Sequence, residues 1–170
     1  KVLLATLALL TCGACLSQDQ LQMETAGMIQ FAAGRAAELA EAIPGDKYSW
    51  SPEDGVRSVA GVIAHMISAN YFFAMKLGAI PPEGINLQTL EKDLTTKEQL
   101  VPALKASIGH ITGAIKNVDS STLGDKVEFP FPGEFTTMSA ILIIQGHNNE
   151  HLGQLIAYGR SNGVTPPWSN

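Results

Sequence analysis

The sequence predicts an all-α fold, a four-helix bundle built as one domain. Three observations point there. Four stretches carry apolar residues at three- and four-residue steps, the period of an amphipathic helix. Proline and glycine close three of them, at Pro44-Gly45, at Gly78 with Pro81-Pro82, and at Gly163 with Pro166-Pro167. The one run with a strand's two-residue alternation, Val127, Phe129 and Phe131, is interrupted by Pro130 and followed by Pro132-Gly133, which rules out a central strand. At 170 residues and 45% hydrophobic the chain can bury one sizeable core. No repeat, low-complexity segment or internal domain boundary interrupts it.

The first helix is expected over 19–42, with Leu21, Met28, Phe31, Ala32, Leu39 and Ile43 as its apolar stripe. Tyr48-Ser49-Trp50-Ser51-Pro52 then reads as an ordered loop. The second helix, 58–77, starts at Ser58, a good N-cap, and sets Val62, His65, Ala69 and Phe72 along one face. The third, 95–118, opens on Thr95-Thr96-Lys97-Glu98, a capping box by spacing. Leu100, Leu104, Ile108, Ile111, Ile115 and Val118 form its stripe; Pro102 should kink it or shorten its first turn, and His110 falls on the surface side. Residues 125–135 form an irregular or edge-hairpin loop whose aromatic side chains pack, or lean over the mouth of a site. The fourth helix, 137–161, buries Ile141, Ile144, Asn148, His151, Leu155 and Tyr158.

At the N-terminus Lys1 precedes a short apolar run, Val2 to Leu10, and small residues follow at Thr11, Gly13 and Ala14. That is the layout of a secretory signal, too short to span a bilayer. Residues 1–17 are therefore expected to be a leader and 19–168 the domain, exported to a periplasm or held at a membrane as a lipoprotein. Gly13-Ala14-Cys15 resembles the end of a bacterial lipoprotein signal, which makes a lipid on Cys15 the one membrane contact expected. At most one of Cys12 and Cys15 outlasts cleavage, so the domain has no internal disulfide. A net charge of −5 and the lack of any Lys/Arg cluster argue against a nucleic-acid partner. A homodimer is left open.

The chemistry gathers on His147-Asn148-Asn149-Glu150-His151. Residues four apart share a helix face, so two imidazoles can approach one metal ion from one side. The run matches the H-x-x-E-H pattern of inverzincin peptidases, but no acidic residue follows Glu150 to complete their ligand set. Carboxylate di-iron bundles need a Glu three residues before the His, and Val62, Ser107, Ile144 and Asn148 stand there instead. No G-x-S-x-G elbow is present for a serine hydrolase. What survives is His65 from the second helix with His147 and His151 from the fourth, three neutral ligands that leave a divalent ion an open position. Glu150 and Gln154 stand close enough along the helix to orient those ligands.

Three segments together resemble the DinB/YfiT-like superfamily of metal-binding four-helix bundles. They are Tyr48-Ser49-Trp50-Ser51-Pro52 with Val56-Arg57-Ser58-Val59, then Ile63-Ala64-His65-Met66 with Asn70-Tyr71-Phe72, then His147 through Pro167. The resemblance spans about 19–167. It implies a long connection between the second and third helices, in agreement with the loop after Gly78. It also implies His65, His147 and His151 as ligands of Zn²⁺, Ni²⁺ or another divalent transition ion. The resemblance further implies a thiol-dependent transferase or isomerase using a low-molecular-weight thiol, the activity of most members whose reaction is known. An exported protein would meet few low-molecular-weight thiols, so a metal-dependent hydrolase stands beside the transferase. A non-catalytic exported module that binds metal or a small ligand is the alternative from another class. The discriminating observation is whether a fourth protein ligand closes the metal position.

Overall fold

The computed structural model describes residues 2–169, with side chains from residue 20 onward. The leader expected over residues 1–17, Cys15 included, therefore falls outside the residues whose side chains are described. Five α-helices and no strand are present among the described residues: α1 Val2–Ala42, α2 Val59–Lys76, α3 Leu90–Asp93, α4 Lys97–Lys116 and α5 Thr137–Ser161. The four long ones pack α1 on α4, α4 on α2, α2 on α5 and α5 on α1. None of them is long and apolar enough to cross a membrane.

Local chemistry explains where the helices stop. Ser58 caps α2, its hydroxyl accepting from the Gly61 N–H at 3.1 Å. At the other end Gly78 takes φ +86°, its N–H reaches the Met75 carbonyl, and Ala79 donates to Ala74. Gly163 ends α5 the same way at φ +75°, with Val164 donating to Gly159. In both, glycine supplies the left-handed residue that lets the last carbonyls be met. The cap of α4 lies one residue later than its sequence spacing suggested. Thr96 is the N-cap, and the Gln99 side chain, not that of Glu98, accepts from the Thr95 and Thr96 N–H groups at 3.2 Å each. The helix runs on through Pro102, which is exposed, so the carbonyl that proline leaves unmet faces water.

The core is continuous across all four long helices. Along α4, Leu100, Leu104, Ile108, Ile111 and Ile115 are no more than 2% exposed, each contributing about 1.5–3 kcal/mol by burial. On α1 the buried apolar face is Ala26, Ile29, Ala32, Ala33, Ala36, Ala37, Leu39 and Ala40, continued by Ile43 just past its end. Met28 and Phe31, placed in the apolar stripe by sequence, are 54% and 62% exposed. The helix approaches α4 and α5 through alanines with Ile29 and Leu39, while Met23, Met28 and Phe31 ride outside, Phe31 under the Arg35 guanidinium at 4.2 Å.

Three irregular segments matter for the site. Residues 48–58 are tied down by the Tyr48 hydroxyl donating to Ala40, and by the Val59 and Ala60 N–H groups donating to the Trp50 and Tyr48 carbonyls. Residues 77–96 run between α2 and α4 and carry α3. The proline-rich 125–135 segment closes as a loop, with a single bridge between Lys126 and Thr136 and the Val127 N–H on the Phe135 carbonyl at 2.9 Å.

Candidate metal centre

The α5 register sets Asn148, His151, Leu155 and Tyr158 inward, with His147 half-buried beside them. From α2, His65 arrives half-buried on the facing helix. The three rings meet through one kind of atom. His147 Nε2 stands 3.1 Å from His65 Nε2 and 3.2 Å from His151 Nε2. Their ligand atoms all lie within 4.8 Å of one another, so the three histidines could hold a metal ion. Nitrogens bound at 2.0–2.1 Å around a tetrahedral ion stand about 3.3–3.4 Å apart, close to the spacing seen. Among the described residues no fourth His, Cys, Asp or Glu atom joins this set.

The outer nitrogens decide what the inner ones offer. His65 Nδ1 lies 2.9 Å from Glu91 Oε1 and 3.2 Å from Arg57 Nη2. The shorter contact is to the carboxylate, which only accepts, and it favours the proton on Nδ1 with the Nε2 lone pair inward, the guanidinium proton turning to Glu91. His151 Nδ1 donates to Gln154 Oε1 at 2.8 Å, which fixes the same tautomer. His147 Nδ1 is buried without a hydrogen-bond partner. With all three rings neutral, at most one hydrogen lies among three converging nitrogens. Lone pairs this close repel unless a cation sits between them. The donor set therefore fits a divalent transition ion held by neutral imidazoles.

Electrostatics keep the two rings of α5, His147 and His151, in that state. Burial, reinforced by the neighbouring His151, His65 and Arg57, pushes the His147 pKa down to about 3. Burial also lowers that of His151, against the opposing hydrogen bond to Gln154.

Two chains of contacts run outward and meet at one residue. From His151 the chain passes to Gln154, whose Nε2 donates to the Tyr158 hydroxyl at 2.9 Å, and Tyr158 donates to the Arg57 carbonyl at 3.1 Å. From His65 it passes to Glu91, whose Oε2 lies 3.4 Å from Arg57 Nη2. Trp50 packs edge-on against Tyr158 at 5.2 Å. Between the two ligands of α5, the Asn148 amide donates to Asn70 Oδ1 at 3.1 Å and Asn70 donates to the Ser107 hydroxyl at 3.0 Å, all three side chains buried. This network pins α5, α2 and α4 in register, and so sets the distance between His65 and His147.

Of the residues singled out in sequence, His65, His147 and His151 come together and Gln154 reaches His151. Glu150 is exposed and makes no hydrogen bond to the histidines. His110, expected on the surface side, is half-buried: its ring packs on Tyr71 at 5.2 Å, its Nε2 is covered without a partner, and it lies outside the triad. Sequence reasoning missed Glu91 altogether. It lies 26 positions from His65 and reaches it only because residues 77–96 fold back over α2. Asn70 and Asn148 carried the one available signal, polar residues on otherwise apolar helix faces.

A cavity of about 430 Å³ opens beside the triad, with His65 and His147 in its wall and Phe131 of the 125–135 loop at its edge. Of the two sequence readings of that loop, packing or leaning over a mouth, both hold: Phe129 packs on Phe72 and Phe73 while Phe131 borders the cavity.

The family model of the DinB superfamily matches residues 28–155. No curated protein matches the chain significantly. Among solved structures, a DinB-like protein from Bacillus subtilis superposes with a TM-score of 0.66 at 21% identity, covering 84% of this chain and 93% of that one. A DinB-like protein from Bacillus cereus gives 0.68 at 14% identity over 81% and 90% of the two chains. A conserved protein from Enterococcus faecalis gives 0.65 at 16% over 83% and 94%. At these identities the structural likeness speaks for the fold.

Proposed function

The chain belongs to the DinB superfamily, and from that membership we propose that its three-histidine centre holds one divalent transition ion, Zn²⁺ or Ni²⁺, and serves a hydrolase or thiol-dependent transferase acting on a small molecule. We read the long helices α1, α2, α4 and α5 as a four-helix bundle, with residues 77–96 as the long connection that carries Glu91 to the site. Export through the leader at 1–17 belongs to the same reading.

The observation that carries the proposal is the convergence of three Nε2 atoms, two of them forced to present lone pairs by Glu91 and Gln154, beside an open cavity. A divalent ion bound there supplies Lewis acidity, enough to ionise a water or a thiol near neutral pH. The chain's own residues do the rest. Glu91 and Gln154 hold the protons of His65 and His151 on Nδ1 and fix both rings in rotation. Burial keeps His147 neutral, so protons do not compete for its Nε2. The aromatic and aliphatic wall of the cavity keeps bulk water off one side of the centre.

The lack of a fourth protein ligand among the described residues favours the enzyme over the non-catalytic binding module, which could fill that position. The test is elemental analysis of the purified protein, followed by turnover assays with an aryl ester and with an electrophile offered alongside a thiol. The expected result is one metal per chain and one of the two activities, lost on chelation and restored by Zn²⁺ or Ni²⁺. Protein that neither contains nor takes up metal would end the reading. Full metal with no turnover of either substrate class would favour the binding module.

A further inference from the structure

We propose that the cavity beside the histidines is a specificity site for an uncharged aryl or alkyl group, so that the small molecule handled here is apolar over most of its body and presents its polar, reacting group at the His65–His147 wall. Six of the side chains around the cavity are apolar: Ala69, Phe72, Phe73, Leu87, Phe131 and Ile143. The remaining lining is the two imidazoles and the Ser68 hydroxyl. Among the described residues no charged side chain borders it. The Arg57–Glu91 pair sits at the outer nitrogen of His65 and does not line the cavity. Lys76 stands over the Phe72 ring at 5.4 Å but does not line the cavity. A charged substituent placed there would lose hydration with only the Ser68 hydroxyl and the two imidazoles in the lining to replace it, whereas an apolar one gains by leaving water. The size, about 430 Å³, falls within the ~300–1,000 Å³ usual for small-molecule sites.

The wall is held in place rather than assembled by the ligand. Phe131 stacks on Phe129 with centroids 5.0 Å apart and planes 20° from parallel. Phe129 in turn meets Phe73 at 5.5 Å and Phe72 at 6.2 Å, and Phe135 stands edge-on to both Phe129 and Phe131. Ring pairs in these geometries hold one another, so the loop's outer aromatic is anchored to α2. One end of the cavity is metal-ligating and the rest is apolar, which selects a molecule with a single polar head. That polarity also argues that a highly charged thiol is not what occupies the cavity.

The inference rests on the metal reading only for where the polar head goes, and two arms of one experiment keep the two apart. In the first, the metal-loaded protein is titrated with acetohydroxamate, 4-phenylbutanohydroxamate and a hydroxamate of similar length ending in a carboxylate. Affinity should rise at least tenfold from the first to the second, following about fourfold per buried methylene, and the carboxylate compound should show no gain. Ser68→Phe, which fills the cavity from α2, should remove the gain. Phe131→Ala, in an exposed loop position where folding is not at stake, should reduce it at least threefold. In the second arm the metal-free protein is titrated with 4-phenyl-1-butanol and followed by NMR, and the side-chain resonances of Phe72, Phe131 and Ile143 should shift. Equal affinity across the hydroxamates, a gain from the carboxylate, or a gain that survives Ser68→Phe would overturn the proposal. If the protein takes no metal, the metal reading falls alone, and the alcohol decides: binding at those three residues supports the specificity site and no binding overturns it.

Discussion

The contact of α1 with α4 and that of α2 with α5 are made of different chemistry. Across the first, α1 offers alanines with Ile29 and Leu39, and α4 offers a row of leucines and isoleucines. Small against large gives close approach, and the stability comes from area removed from water. Across the second, the same kind of helix pair carries the buried Asn70, Asn148 and His151 with the half-buried His65 and His147. Buried polar groups add little net stability, but each has few geometries that satisfy it, so they fix register. One half of the molecule supplies stability and the other spends some of it on position.

That comparison can be broken from either side. The largest effect should follow removal of a ligand: His65→Ala, His147→Ala or His151→Ala should each abolish stoichiometric metal, read by elemental analysis, while His110→Ala leaves it unchanged. Metal retained without His65 would show that α2 takes no part in the centre. Next in size is a cavity in the apolar half. Leu104→Ala should cost about 2–5 kcal/mol in urea unfolding, with metal content intact wherever the protein stays folded. A loss of metal from the folded variant would mean that the halves are not separable.

A subtler cut lies in Glu91→Gln, which keeps the shape but lets the side chain present an amide to His65. Metal affinity should fall about 10–100-fold in a chelator competition, with the unfolding midpoint of the metal-free protein nearly unchanged. An unaltered affinity would reduce Glu91 to a surface ion pair. The smallest effect is that of acid on the metal-free protein. His147 is neutral when folded down to about pH 3 but takes up a proton near 6.5 when unfolded. Stability is then undiminished above pH 6.5 and declines as pH falls towards 3, by about 1 kcal/mol at pH 5.5. Urea unfolding at pH 7.5 and 5.5 measures it, and His147→Asn should lose less than the parent.

The two halves were not equally legible in the sequence. The polar one announced itself, because a histidine or asparagine on an apolar face is conspicuous and the four-residue step between His147 and His151 is a helical signature. Helix α5 accordingly has the bounds and the buried face expected of it. The alanine-lined face of α1 was harder to see. Reading by large apolar residues chose Met28 and Phe31, which are exposed, because alanine carries little hydrophobic weight even where close packing needs it. Thr96 rather than Thr95 caps α4, a one-residue slip that spacing cannot resolve when two threonines adjoin. Glu91 was out of reach for another reason. Its role depends on how residues 77–96 return to α2, and no local pattern encodes that path.

Arg57 is where both hydrogen-bond chains end, its carbonyl taking the one from His151 and its guanidinium the one from His65. It also sits at the end of the segment that Tyr48 and Trp50 anchor, just before the Ser58 cap. With the proposed ion bound, the segment and the ion would be thermodynamic partners. Whatever steadied residues 48–58 would raise affinity for metal, and metal would steady that segment by the same factor, since linkage is reciprocal.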